Sequence, residues 1–258
     1  MLYHIYQLDK EWNLINNFTL TEYLLEHEIK ILNKKFYVDE KISEEDVIKQ
    51  IALASYIHRI LSGYPIGGNT RIKCSLGRDI EKIKYDIRKN EKNLEYITIK
   101  TNKNDIDKFL IKNGKIIIDR CINIIEQLRN IDYFGLIRRA MNKKEICLGN
   151  IDGSNLRVFQ EVEIGSIEQV EYNLIEEDIY NYLRKVRKKN KINLENALNY
   201  FVQINNLNND SKNYIKLLLN LPYDTLKYWK KYRKKGVMDE ELLINIRKAF
   251  SVEVMEDV

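Results

Sequence analysis

Glu145–Leu183, EICLGNIDGSNLRVFQEVEIGSIEQVEYNLIEEDIYNYL, is the stretch whose reading decides the fold. Two short apolar runs, Ile146-Cys147-Leu148 and Leu156 to Phe159, flank the polar segment Asn150-Ile151-Asp152-Gly153-Ser154-Asn155. A third run, Val162 to Ile167, follows, and an amphipathic helix begins near Leu174. Asn, Asp, Gly and Ser between β-prone runs predict a hairpin or a functional loop, because these residues tolerate tight backbone and bond to it locally. Elsewhere apolar residues recur at helical spacing. The chain therefore reads as mainly α with a small β-hairpin insert, an α+β arrangement dominated by helices.

Upstream, Ser43 opens a clear helix, with Glu44, Glu45 and Asp46 in its first turn where carboxylates suit the macrodipole. Val47, Ile51, Ala54, Ile57, Ile60 and Leu61 share one side, and Gly63 and Pro65 mark the stop. Gly67-Gly68 predicts a plain turn, since no GxGxxG surrounds it and no strand precedes it. Leu76, Ile80, Ile83 and Ile87 predict another helix. Asp105 to Asn113 predicts a helix interrupted at Gly114, and Lys115 to Arg129 a strongly apolar one after it; Ile131 to Met141 leads into the insert. Downstream, helices are expected around Leu194–Ile204, Tyr214–Leu221, Thr225–Arg233 and Asp239–Phe250. Residues 1–40 are mixed: a short strand at Leu2 to Leu8, and a helix from Thr21 to Leu32 capped by Thr19 or Thr21. Residues 41–258 thus form one helical domain, and 1–40 an extension or the remnant of a second lobe.

At 258 residues the chain can bury a large core, and 44% hydrophobic with 31% charged residues is ordinary for a globular protein. Two prolines and ten glycines leave little material for a sandwich or barrel. Cys74, Cys121 and Cys147 are far apart and carry no CxxC or nearby His, so buried free thiols in a reducing compartment are expected, with neither zinc nor disulfides. The opening MLYHIYQLDKEWNL lacks a basic region followed by an apolar one, and no stretch reaches 18 apolar residues, so neither signal peptide nor membrane segment is expected. The expected location is the cytoplasm. The net charge of +5 gathers in Arg184–Lys191 and Lys227–Lys235. Tyr223, Tyr228, Trp229 and Tyr232 lie in or beside the second run: either they stack on single-stranded nucleic acid, or they pack inward from a solvated amphipathic helix.

No GxSxG and no Walker A sequence occur, and His4, His27 and His58 stand near no nucleophile, so His58 reads as structural. Glu176-Glu177-Asp178, like Glu44-Glu45-Asp46, is explained by a helix N-terminus without catalysis.

The segment Glu145 to Leu156 resembles the catalytic loop of the aminoglycoside phosphotransferase and choline-kinase group, where an apolar strand runs into His-Gly-Asp, a few residues, Asn and a second strand. More narrowly, the chain is similar to the spore-coat-associated kinase-like proteins of the CotS type. This rests on the order of Tyr-Ile-His58-Arg, Ser62-Gly63-Tyr64-Pro65, the loop, Tyr172-Asn173-Leu174 and Leu221-Pro222-Tyr223 across residues 41–250. The resemblance implies a helical C-lobe alone, without the Gly-rich loop and phosphate-pairing Lys of an ATP-binding lobe. Leu148 stands at the family's loop His and Asn150 at its catalytic Asp. Asn155 matches the metal-ligating Asn, and Glu168 falls near the second metal ligand, an Asp in the family. An Asn cannot serve as a base. The resemblance therefore implies a catalytically silent module, with spore coat proteins as partners in the mother cell or coat and no cofactor. Two alternatives stand beside it: an active phosphotransferase using ATP and magnesium with Asp152 as base, or a basic helical binder of nucleic acid or an anionic surface, of which nucleic acid is the less expected.

Overall fold

The computed structural model describes residues 19–38, 41–65, 70–188, 192–236 and 239–255. The expected Leu2–Leu8 strand, the Gly67-Gly68 turn and the end of the first basic run lie outside them. In chain order the elements are α1 (Leu20–Glu26), β1 (Ile29–Ile31), α2 (Glu44–Leu61), β2 (Lys73–Cys74), α3 (Arg78–Ile99), α4 (Asp105–Gln127) and α5 (Tyr133–Lys143). Then come β3 (Ile146–Cys147), β4 (Leu156–Val158), β5 (Val162–Ile164), β6 (Glu171–Tyr172), α6 (Ile175–Arg187), α7 (Leu194–Ile204), α8 (Asn209–Leu219), α9 (Tyr223–Lys235) and α10 (Glu240–Phe250). A single π-helical turn, Ser251–Met255, follows α10. The protein is mainly α with a small β insert.

Two compact units emerge, each assembled from two separate pieces of chain: Met1–Leu76 with Phe134–Ile215, and Gly77–Tyr133 with Lys216–Val258. In the first unit, Thr19 closes a capping box on α1: its hydroxyl accepts the Glu22 N–H at 3.2 Å and the Glu22 carboxylate accepts the Thr19 N–H at 2.8 Å. The helix expected through Leu32 stops at Glu26. Glu28 takes a left-handed φ of 60°, and Ile29–Ile31 becomes a strand, because pairing with β5 satisfies its backbone better than another helical turn would. Ser43 caps α2 in the same reciprocal way with Asp46. Val47, Ile51, Ala54, Ile57 and Leu61 of α2 are buried together with Ala197, Leu198 and Phe201 of α7, which packs on α2.

The β insert is two three-stranded sheets. β4 and β5 form an antiparallel hairpin, with Leu156 opposite Ile164 and Val158 opposite Val162. β1 adds to the far side of β5 in parallel, Ile29 opposite Val162. In the second sheet β6 lies between β3, antiparallel, and β2, parallel. The apolar runs 146–148 and 156–159 therefore belong to different sheets. The polar segment between them is a crossing loop and not a hairpin turn.

In the second unit α4 is one unbroken helix through Gly114, contrary to the expected interruption. Its glycine is there for space: a Cβ would stand 3.0 Å from Cη2 of Trp229 and 3.1 Å from a methyl of Leu94. Trp229 is fully buried, and its indole N–H donates to Asn93 Oδ1 at 2.8 Å. Tyr232, also buried, donates its hydroxyl to Asp107 at 2.6 Å. Two aromatics of the basic helix α9 thus pack inward, while Tyr223 stays exposed. Glu253 caps α9 from afar, accepting the N–H groups of Asp224 and Thr225 at 2.9 Å each.

Cys121 and Cys147 are buried, as expected, but Cys74 is exposed, on a two-residue strand that is open to solvent on both faces. Among the described residues no helix is long and apolar enough to cross a membrane.

Candidate functional site

The loop Leu148–Asn155 is held from two helices of the first unit. Asp178, in the first turn of α6, is the main anchor. It accepts the Leu148 N–H at 2.8 Å on Oδ2 and the Gly149 N–H at 2.9 Å on Oδ1. His58 of α2 places Nε2 2.8 Å from Oδ2 of the same carboxylate; an acceptor-only carboxylate requires that nitrogen to carry the proton. His58 and Asp178 are 3% and 2% exposed, so the pair is desolvated and its bonds act at full strength. The structural reading of His58 agrees with this position. Also from α2, the Gln50 amide donates to the carbonyls of Ile151 at 2.6 Å and Leu156 at 2.9 Å, bracing the middle of the loop and its exit into β4.

Glu176, Glu177 and Asp178 sit at the start of α6 as expected, but all three are buried. Successive helix positions turn by about 100°, so neighbouring side chains point in different directions. Glu176 pairs with Arg139 of α5, which bridges it to Glu145 through bonds of 2.7–2.9 Å and also reaches Ser211. Glu177 accepts the Tyr214 hydroxyl. Burial alone would lower the Arg139 pKa; the two carboxylates outweigh it and raise it.

Gly149 is the tightest point. Its φ is +83°, and a Cβ would lie 2.5 Å from Cβ and the carbonyl oxygen of Gln169. Only glycine fits, on conformation and on space. The next residue, Asn150, accepts the Lys185 ammonium on Oδ1 at 2.9 Å. The same ammonium reaches Asp152 Oδ2 at 2.7 Å, and Asp152 Oδ1 accepts both the amide N–H and the hydroxyl of Ser154. Burial would push the Asp152 carboxyl up, but Lys185 and Ser154 prevail and hold it below the usual carboxylate range. Ionised and ion-paired, Asp152 has little tendency to take a proton.

Asn155 is buried and ties the loop to the end of the hairpin. Its amide nitrogen donates to the carbonyls of Asn150 at 2.8 Å and Ser166 at 3.2 Å; its Oδ1 accepts the Ser166 N–H at 2.7 Å. Leu148 is fully buried and reaches the site only through its backbone. The Glu168 side chain is exposed, and its backbone N–H donates to the Ser166 hydroxyl at 3.2 Å. The structure thus joins Asn150, Asp152 and Asn155 through bonds within one loop. Three residues of this site escaped the sequence reading. Asp178 was visible as an acid but equally well explained by the helix dipole. Gln50 and Lys185 act on backbone carbonyls and on the loop, which leave no pattern in a sequence.

No family profile and no curated protein matches the chain. Among solved structures it is similar to the crystal structure of an aminoglycoside phosphotransferase from Alicyclobacillus acidocaldarius subsp. acidocaldarius DSM 446. The TM-score is 0.64 at 11% identity, over 87% of this chain and 66% of that one. This chain therefore spans just under two thirds of that structure, and the likeness establishes a shared fold.

Proposed function

We propose that the chain is a phosphotransferase-like module that has given up phosphoryl transfer and serves as a scaffold or binding module. Its resemblance to the spore-coat-associated group points to coat assembly in the mother cell, with coat proteins as partners. The carrying observation is Asn150: a carboxamide, held by Lys185, at the loop position where the resemblance expects a carboxylate. Losing a general base of this kind costs about 10²–10⁴ in rate.

The residues also fit a magnesium nucleotide poorly. Asp152 is neutralised by Lys185, both polar ends of the Asn155 amide bond to loop backbone, and Glu168 points to solvent from the hairpin end. Only a constellation with spare carboxylate oxygens would suit so hard a cation. The fold around the loop is nonetheless maintained at some expense, with Asp178, His58 and Gln50 committed to its shape. A loop kept rigid without its acid suits recognition better than turnover.

The purified chain, given ATP and magnesium with and without small-molecule or protein acceptors, should release or transfer phosphate no faster than a blank, and Asn155→Ala should change nothing. Magnesium-dependent turnover that Asn155→Ala abolishes would overturn the reading.

A further inference from the structure

A depression lies between α4 and α10 of the second unit. Asp105, Lys108, Phe109, Lys112 and Asn113 recur along one face of α4, and Arg247 and Phe250 face them from α10. Together they line an open surface depression of about 440 Å³. Its apolar surface is a pair of rings: Phe109 and Phe250 meet edge to face, centroids 5.5 Å apart and planes at 88°. Around them stand three cations and one anion. Lys108 is already paired with Asp105 at 3.0 Å. Lys112 and Arg247 are exposed and have no hydrogen-bond or ion-pair partner among the described residues.

The charge of the whole unit points the same way. It holds 22 Lys and Arg against 17 Asp and Glu, whereas the first unit is balanced at 21 of each, so the entire formal charge of +5 lies here. A polycation is disfavoured by such a surface, and an anion is drawn to it.

We propose that this depression binds a small organic anion with a planar aromatic body, an aryl or nucleoside monophosphate. The ring system would lie on Phe109 and Phe250, and the phosphate would bridge Lys112 and Arg247, whose guanidinium suits phosphate oxygens bidentately. None of these residues belongs to the loop of the first unit.

The test is calorimetric titration of the full chain with four probes: phenyl phosphate, adenosine monophosphate, inorganic phosphate and benzyl alcohol. At least one aromatic phosphate should bind about tenfold or more tighter than either inorganic phosphate or benzyl alcohol, since charge and ring act together. Whichever of the two aromatic phosphates binds tighter identifies the source, nucleotide or simple aryl ester. The double variant Lys112→Ala/Arg247→Ala should weaken that binding by about tenfold or more with an unchanged melting temperature, and Asn155→Ala should leave it intact. Either result defeats the proposal: aromatic phosphates binding no tighter than inorganic phosphate, or the double variant keeping full affinity. Amide-shift mapping on α4 and α10 gives an independent check, and shifts confined to other elements also defeat it.

Discussion

Asp178 accepts from two backbone amides and an imidazole at once, and so sets the path of Leu148 and Gly149 before any ligand is involved. Asp152, four residues before β4 begins at Leu156, has the opposite character: a partly exposed carboxylate held by one lysine and one serine. Its folded-state pKa lies below the unfolded value of about 3.9. Its pairing therefore contributes stability above that pH and loses it as pH falls through the folded-state value. Lys185 is half exposed, so the contribution should be about 1 kcal/mol or less. Wild type should melt slightly above Asp152→Asn at pH 6, and the gap should close below about pH 4. Calorimetry across that range decides the matter; a gap that stays constant down to pH 3 would show that the ion pair contributes nothing. At this scale the sequence exposed the identities at 148, 150, 152 and 155, because the resemblance to the phosphotransferase loop singles those positions out. The bonds of Gln50 and Asp178 stayed hidden, since each ends on a backbone group that every sequence possesses.

Helices were the legible elements. Ser43 with Asp46, and Val47 through Leu61 at 3.6 spacing, state α2 twice over, by cap and by period. The sequence reads β1 as helix because Ile29 and Leu32 continue the spacing of Leu20 and Leu24; only Val162–Ile164, far along the chain, makes it a strand. Gly114 reads as a break because glycine weakens helices by about 1 kcal/mol, and its packing role has no local signature. The distinction is measurable. In an open helix Gly114→Ala would stabilise by about that amount. Against Trp229 and Leu94 it should instead destabilise by about 1–3 kcal/mol, read from the urea midpoint. A raised midpoint would mean that the Leu94 side chain yields freely.

For the whole molecule, the thiols report on packing. Burial pushes the Cys121 thiol up to about 12 and raises that of Cys147, whose S–H donates to the Leu174 carbonyl at 2.9 Å. A disulfide reagent at neutral pH should label one of the three thiols quickly, Cys74, and the other two only on unfolding. Two fast thiols in the native protein would mean that one of the two cores opens locally. The parallel pairing of β1 with β5 has a consequence in time. Ile29 meets Val162, so roughly 130 residues must leave the ribosome before the partner of β1 exists, on the order of ten seconds of synthesis. In that interval the first segment of the other unit emerges, and it too lacks its second half until Lys216 and beyond have been made. The nascent chain therefore carries two half-built cores at once and finishes neither early, which makes its early strand a natural client for whatever shields exposed edges during translation.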